Sequence, residues 1–121
     1  MTSARPWPIE LRVRRASQLL EVDFDDGVTF SLPAEYLRVM TPSAEDRGHG
    51  AGPGRTVGGK RNVAIKDLRP VGRYAVRIDF SDGHDTGLYS WDELYRLGRD
   101  QIRLWNEFLK RAENEGVSRS A

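Results

Sequence analysis

Ile9, Leu11 and Val13 alternate with Glu10, Arg12 and Arg14, the period-two pattern of a half-buried strand. Residues 1–8, with Pro6 and Pro8, read as a flexible arm ahead of it. Leu20, Val22 and Phe24 alternate in the same way, followed by Asp25-Asp26-Gly27 and then by Val28, Phe30 and Leu32. The register of this hairpin follows from burial. A two-residue turn at Asp26-Gly27 would set Phe24 opposite Thr29. A three-residue turn sets Phe24 opposite Val28, Val22 opposite Phe30 and Leu20 opposite Leu32. Directly opposite residues share a face, so the second register buries all of these apolar side chains together. It predicts a type I turn with Gly27 left-handed and a bulge. Residues 33–39 then read as a short helix with Pro33 in its first turn.

The pattern breaks over residues 41–62, which hold six glycines, two prolines and few apolar residues. That composition predicts a mobile loop. Val63 and Ile65 open another strand, and Pro70-Val71-Gly72 reads as a turn. Tyr74, Val76, Ile78 and Phe80 alternate with polar or small residues, Ser81-Asp82-Gly83 makes a second three-residue turn, and a return strand runs to Tyr89. Ser90 and Glu93 have capping-box spacing, predicting a helix that ends at Gly98. A second helix begins near Asp100 with Ile102, Trp105, Phe108 and Leu109 on one face. Gly116 ends it, and residues 115–121 should fray. The class is α+β: antiparallel sheets built from hairpins, a short helix after the third strand, and two C-terminal helices packed on the sheet, in one domain over residues 9–114. An internal echo is visible, with Val22-Asp-Phe-Asp-Asp-Gly27 matching Ile78-Asp-Phe-Ser-Asp-Gly83. Glu35 and Glu93 follow near the helix starts, which makes the second return strand two residues longer.

Composition narrows the function classes. The chain has 121 residues, 19 basic against 18 acidic, and no cysteine. The balance and a pI near 8.1 set aside nucleic acid as a partner. The absence of cysteine removes disulfides, thiolate metal sites and a cysteine nucleophile. No apolar run is long enough to span a bilayer, so the expectation is a soluble cytoplasmic domain that does not engage a membrane.

Leu32-Pro-Ala-Glu-Tyr-Leu-Arg-Val39, Pro42-Ser-Ala-Glu45, Gly48-His-Gly50 and Gly59-Lys-Arg61 occur in order, then Pro70-Val-Gly72, Tyr74-Ala-Val76 and Asp82-Gly-His-Asp-Thr-Gly-Leu-Tyr-Ser-Trp91. Together they resemble the DUF971 family, similar to the N-terminal domain of gamma-butyrobetaine hydroxylase, over about residues 6–110. In the hydroxylases this domain precedes an iron- and 2-oxoglutarate-dependent oxygenase domain and carries a zinc held by three cysteines and a histidine. The resemblance aligns His84 with that histidine and residues 41–47 with the region of the cysteines, which this chain lacks. The oxygenase domain is also missing. Small members stand alone and others accompany iron–sulfur carrier ATPases, which implies an accessory module rather than a reaction.

Among individual residues, His84 lies opposite Phe80 in the three-residue register. It reads either as a half-buried structural histidine or as an iron or zinc ligand with Asp82, Asp85 or His49. Asp85, adjacent to His84, would face the other way on a strand. His49 is flanked by glycines that permit close approach to a ligand. Gly54-Arg-Thr-Val-Gly-Gly-Lys60 has phosphate-loop spacing but is followed by Arg61 and a strand, so it is rejected as a nucleotide site. Carboxylate pairs such as Asp25-Asp26 sit in turns, and no nucleophile–base spacing is recognisable, so no catalytic residue is assigned. The leading expectation is a non-catalytic module without a cofactor, binding a protein partner through His49, Lys60, Arg61, His84 and Trp91. The alternative is an iron- or zinc-binding protein using His84 and His49.

Overall fold

A computed structural model describes residues 6–41, 57–85 and 87–120. Among these, six strands and three helices follow in the order β1 (Pro8–Arg14), β2 (Leu19–Phe24), β3 (Thr29–Pro33), α1 (Ala34–Val39), β4 (Ile65–Val71), β5 (Ala75–Phe80), β6 (Gly87–Ser90), α2 (Trp91–Arg99) and α3 (Gln101–Glu115). They build two three-stranded antiparallel sheets, β1-β2-β3 and β4-β5-β6, in an α+β architecture. The inward positions of both sheets meet α1 and α2 in one core. Leu20, Val22, Phe24, Leu32, Leu37, Ile78, Phe80, Tyr89, Leu94 and Leu97 are all buried there. The β2–β3 ladder has the three-residue register, with Leu20 opposite Leu32 and Val22 opposite Phe30.

The two halves repeat one another closely. At the first turn Phe24 N–H donates to Val28 O at 2.9 Å and Gly27 N–H to Phe24 O at 3.1 Å; Phe80, His84 and Gly83 make the same two bonds at 2.9 and 3.1 Å. Gly27 and Gly83 have φ of 88° and 89°, the left-handed conformation the turn demands. In each turn an aspartate accepts from the N–H two residues on, Asp26 from Val28 at 3.0 Å and Asp82 from His84 at 3.1 Å. Each carboxylate then turns its other oxygen to the helix of the opposite half. Tyr95 of α2 donates to Asp26 at 2.7 Å, and Arg38 of α1 donates to Asp82 at 2.9 Å. The stretch from the second turn to its helix is longer by one residue rather than two, although β6 itself is shorter than β3. Ile78 pairs with Gly87 where Val22 pairs with Phe30, although His84 and Val28 hold the same place in the turn.

Other expectations are corrected by packing. α2 runs one residue past Gly98, to Arg99, and position 98 is glycine because the Phe30 ring packs against it, leaving no room for a Cβ. Pro70 belongs to β4, at the sheet edge where its missing N–H costs no ladder bond; the turn begins at Gly72, φ 58°. Tyr74 precedes β5 and is 72% exposed, and Ile102 on α3 is 80% exposed, so neither joins the core. Contacts also engage residues at the two ends of the described chain. Trp7 exchanges backbone and side-chain bonds with Asp25, and Pro8 opens β1. Beyond Gly116, residues 117–119 run back along residues 59–61.

Candidate functional site

The turn of the second hairpin carries a partly buried charge cluster. Asp82 accepts from Arg38 Nε at 2.9 Å and from Lys60 Nζ at 2.5 Å on one oxygen, and from the His84 N–H on the other. Burial alone would raise the Asp82 carboxyl. Lys60, the His84 N–H and Arg38 outweigh it and hold the group at about 2. Arg38, Thr41 and His84 are buried beside it. His84 Nε2 lies 3.4 Å from Thr41 Oγ1, and its ring tilts against Phe80 with centroids 6.2 Å apart. Thr41 has room because position 87 is glycine; a Cβ there would stand 2.8 Å from its hydroxyl oxygen.

The internal repeat shows what is special about this end. The places held here by Arg38, Thr41, His84 and Gly87 belong in the other half to Tyr95, Gly98, Val28 and Phe30. There Phe24, Phe30 and Tyr95 pack edge to face at centroid distances of 5.0–5.9 Å. One hairpin end is thus sealed with aromatic rings and the other with a charge cluster. A shallow hollow of about 200 Å³ adjoins the cluster, lined by Gly59, Lys60, Asn62, Val63, Ser81 and Asp82.

The residues named from the sequence are distributed as follows. His84 sits opposite Phe80, as its register requires. Asp82 meets the His84 backbone N–H and two cations. Asp85 is exposed. His49 lies outside the described residues, as does most of the glycine-rich loop. Among the described residues no three His, Cys, Asp or Glu side chains converge to hold an ion. The zinc implied for the family does not fit the residues present. The cysteines are absent, and Arg38 and Lys60 set two positive charges on the neighbouring carboxylate. Lys60 is committed to Asp82, and Arg61 is exposed with its N–H on Arg119 O at 3.0 Å.

Trp91 belongs to a different place. It lies beyond the end of β6 away from His84, its indole N–H donating to Arg73 O at 2.7 Å and its edge meeting Trp7 at 6.3 Å. Its backbone N–H bonds Tyr74 O. Trp7, which packs on Trp91, is 48% exposed; Tyr74, joined to Trp91 through its backbone carbonyl, is 72% exposed. Sequence reading missed Trp7 and Tyr74, the first as part of an arm and the second as a core position. The run Pro6-Trp-Pro8 was the available signal for Trp7.

A family model described as gamma-butyrobetaine hydroxylase-like, N-terminal, matches residues 11–95. The chain belongs to this family. A crystal structure of a DUF971 protein of unknown function from Acidithiobacillus ferrooxidans is 40% identical, covering 80% of this chain and 98% of that one, with a TM-score of 0.67. Two solution NMR structures superpose with TM-scores of 0.83. One is 47% identical over 98% of this chain and 90% of its own; the other is 38% identical over 97% and 92%. No curated protein matches. The match covers the N-terminal, gamma-butyrobetaine hydroxylase-like domain, and no catalytic domain is evident. Among the described residues no helix is long and apolar enough to cross a membrane.

Proposed function

We propose that this family member is a small non-catalytic interaction module that receives a protein partner on the surface formed by Trp7, Tyr74 and Trp91. The observation that carries this reading is the contact of Trp7, 48% exposed, with the half-buried Trp91, whose backbone N–H is bonded to the carbonyl of Tyr74, 72% exposed. Tryptophan and tyrosine are the residues that most often anchor protein interfaces, because each buries a large rigid area at low entropic cost. Trp91 is fixed by its bond to Arg73 O and by Trp7, so the surface is organised before a partner arrives. The cluster at Asp82 supports the non-catalytic part. Its carboxylate is held ionised by Lys60 and Arg38, which suits a structural clasp and not a general base.

The test is comparative. Polypeptides that co-purify with the tagged wild type from its own cells should be lost with Trp7→Ala/Tyr74→Ala, while thermal unfolding shows that the variant stays folded. Equal recovery by both forms would overturn the assignment of the surface.

A further inference from the structure

Residues 117–119 lie in a groove with the features of a recognition site. We propose that this groove binds extended peptide segments of the pattern Val-x-Arg, that residues 117–119 fill it in cis, and that a segment of the same pattern on a protein partner competes for it. The inference does not depend on the aromatic surface at Trp7.

Three elements build the groove: the start of α1, the middle of α3, and residues 58–61. Residues 58–61 meet the backbone and the first side chain, and the two helices together meet the third. The backbone is read by Gly59 N–H, which donates to Ser118 O at 2.8 Å, and by Arg61 N–H, which donates to Arg119 O at 3.0 Å. Such bonds hold an extended chain without regard to sequence. The first side chain is read by contact with Gly58, where an added Cβ would lie 2.5 Å from Val117 Cγ1 and 2.6 Å from Ser118 O. The absence of a side chain at 58 is what lets the segment approach.

The third position carries the specificity. Arg119 forms a fork on Glu35, Nε to Oε2 and Nη2 to Oε1, both at 2.8 Å. The Glu35 side chain is only 9% exposed. The same guanidinium lies over the Trp105 ring, 5.3 Å from its centroid. A planar guanidinium satisfies both carboxylate oxygens and stacks on the indole at once, whereas an ammonium does neither well. When Arg119 leaves, Glu35 loses both bonds of the fork, so the vacated groove presents a carboxylate beside the Trp105 ring that another guanidinium fits. A tethered segment acts at high effective concentration, so occupation in cis weakens apparent affinity for a segment in trans.

The experiment uses the full chain, isotopically labelled, and a capped peptide with the sequence of residues 115–120. The proposal expects Arg119→Ala to bind the peptide saturably, shifting the Gly59 and Arg61 amides and the Trp105 indole. Binding should be at least tenfold tighter than to the wild type. The same peptide with lysine in place of arginine should bind at least tenfold more weakly. Arg119→Ala/Glu35→Gln should not bind. If Arg119→Ala does not fold, the wild type with millimolar peptide should still shift Gly59 and Arg61 amides by displacement. Absence of binding to a folded Arg119→Ala, or equal binding of the arginine and lysine peptides, would overturn the proposal and leave residues 117–119 as a structural closure. So would absence of any shift in the wild type where that is the only folded form.

Discussion

Replacing Asp82 by asparagine should remove a defined, pH-dependent share of stability. In the folded chain Lys60, the His84 N–H and Arg38 overcome the effect of burial and hold the carboxyl at about 2, against 3.8 for a free aspartate. The unfolded chain therefore binds its proton at higher pH than the folded one. Stability from this group is complete above the unfolded value and is lost as pH falls through the folded one. At about 1.36 kcal/mol for each tenfold difference in proton affinity, the gap amounts to about 2 kcal/mol. Water reaches 21% of the side chain, and screening trims the figure to about 1–2 kcal/mol. Asparagine keeps the shape and can still accept the His84 N–H, so the loss comes chiefly from charge. Urea unfolding followed by tryptophan fluorescence at a series of pH values from 7 to about 2 measures it. The wild type should exceed Asp82→Asn by about 1–2 kcal/mol near neutrality, with the difference shrinking between about pH 4 and pH 2. A difference that stays constant across the series, or no difference at neutrality, would refute the account of the cluster.

Gly98→Ala should lower stability by about 1–2 kcal/mol in thermal unfolding. The gain of about 1 kcal/mol for alanine over glycine in a helix is outweighed by the clash with Phe30; a rise in Tm would contradict that packing. Ser90→Ala should cost about 0.5–2 kcal/mol in denaturant unfolding, since Ser90 Oγ accepts the Glu93 N–H at 3.1 Å at the start of α2. An unchanged midpoint would remove the cap. His84→Asn should lose about 1–3 kcal/mol by the same assay, because the imidazole packs between Phe80 and Thr41. The loss should be equal with chelator, ferrous iron or zinc. Stabilisation of the wild type by either metal that vanishes in the variant would return His84 to the role of ligand.

The sheets were legible in the sequence because alternation and turn chemistry agree. Asp-Asp-Gly and Ser-Asp-Gly demand left-handed glycines, and only the three-residue register buries Leu20, Val22 and Phe24 with their partners. The reason for a glycine near the end of α2 was less legible, because a tertiary contact requires it. Gly98 is a stop signal by local rules, and the Phe30 ring that explains it lies 68 positions earlier in the chain. His84 was placed correctly against Phe80, yet the partners of its turn were not foreseeable. Arg38 and Lys60 reach Asp82 from outside the hairpin, and their spacing along the chain carries no periodic signal. Arg119 and Glu35 were hidden for the same reason, since an ion pair between distant residues leaves no local pattern. Tyr74 fits the alternation of β5 but precedes its first paired residue, and one position of difference moved it from core to surface.

On the function proposed above, this family member binds a protein at Trp7, Tyr74 and Trp91. The most direct test is a photo-crosslinking amino acid placed at position 74 of the chain in its own cells, with position 103 on the exposed face of α3 as control. One recurring polypeptide should crosslink from position 74, be absent from position 103 and be lost when Trp7→Ala is added. No crosslink from position 74, or the same set of products from both positions, would contradict it.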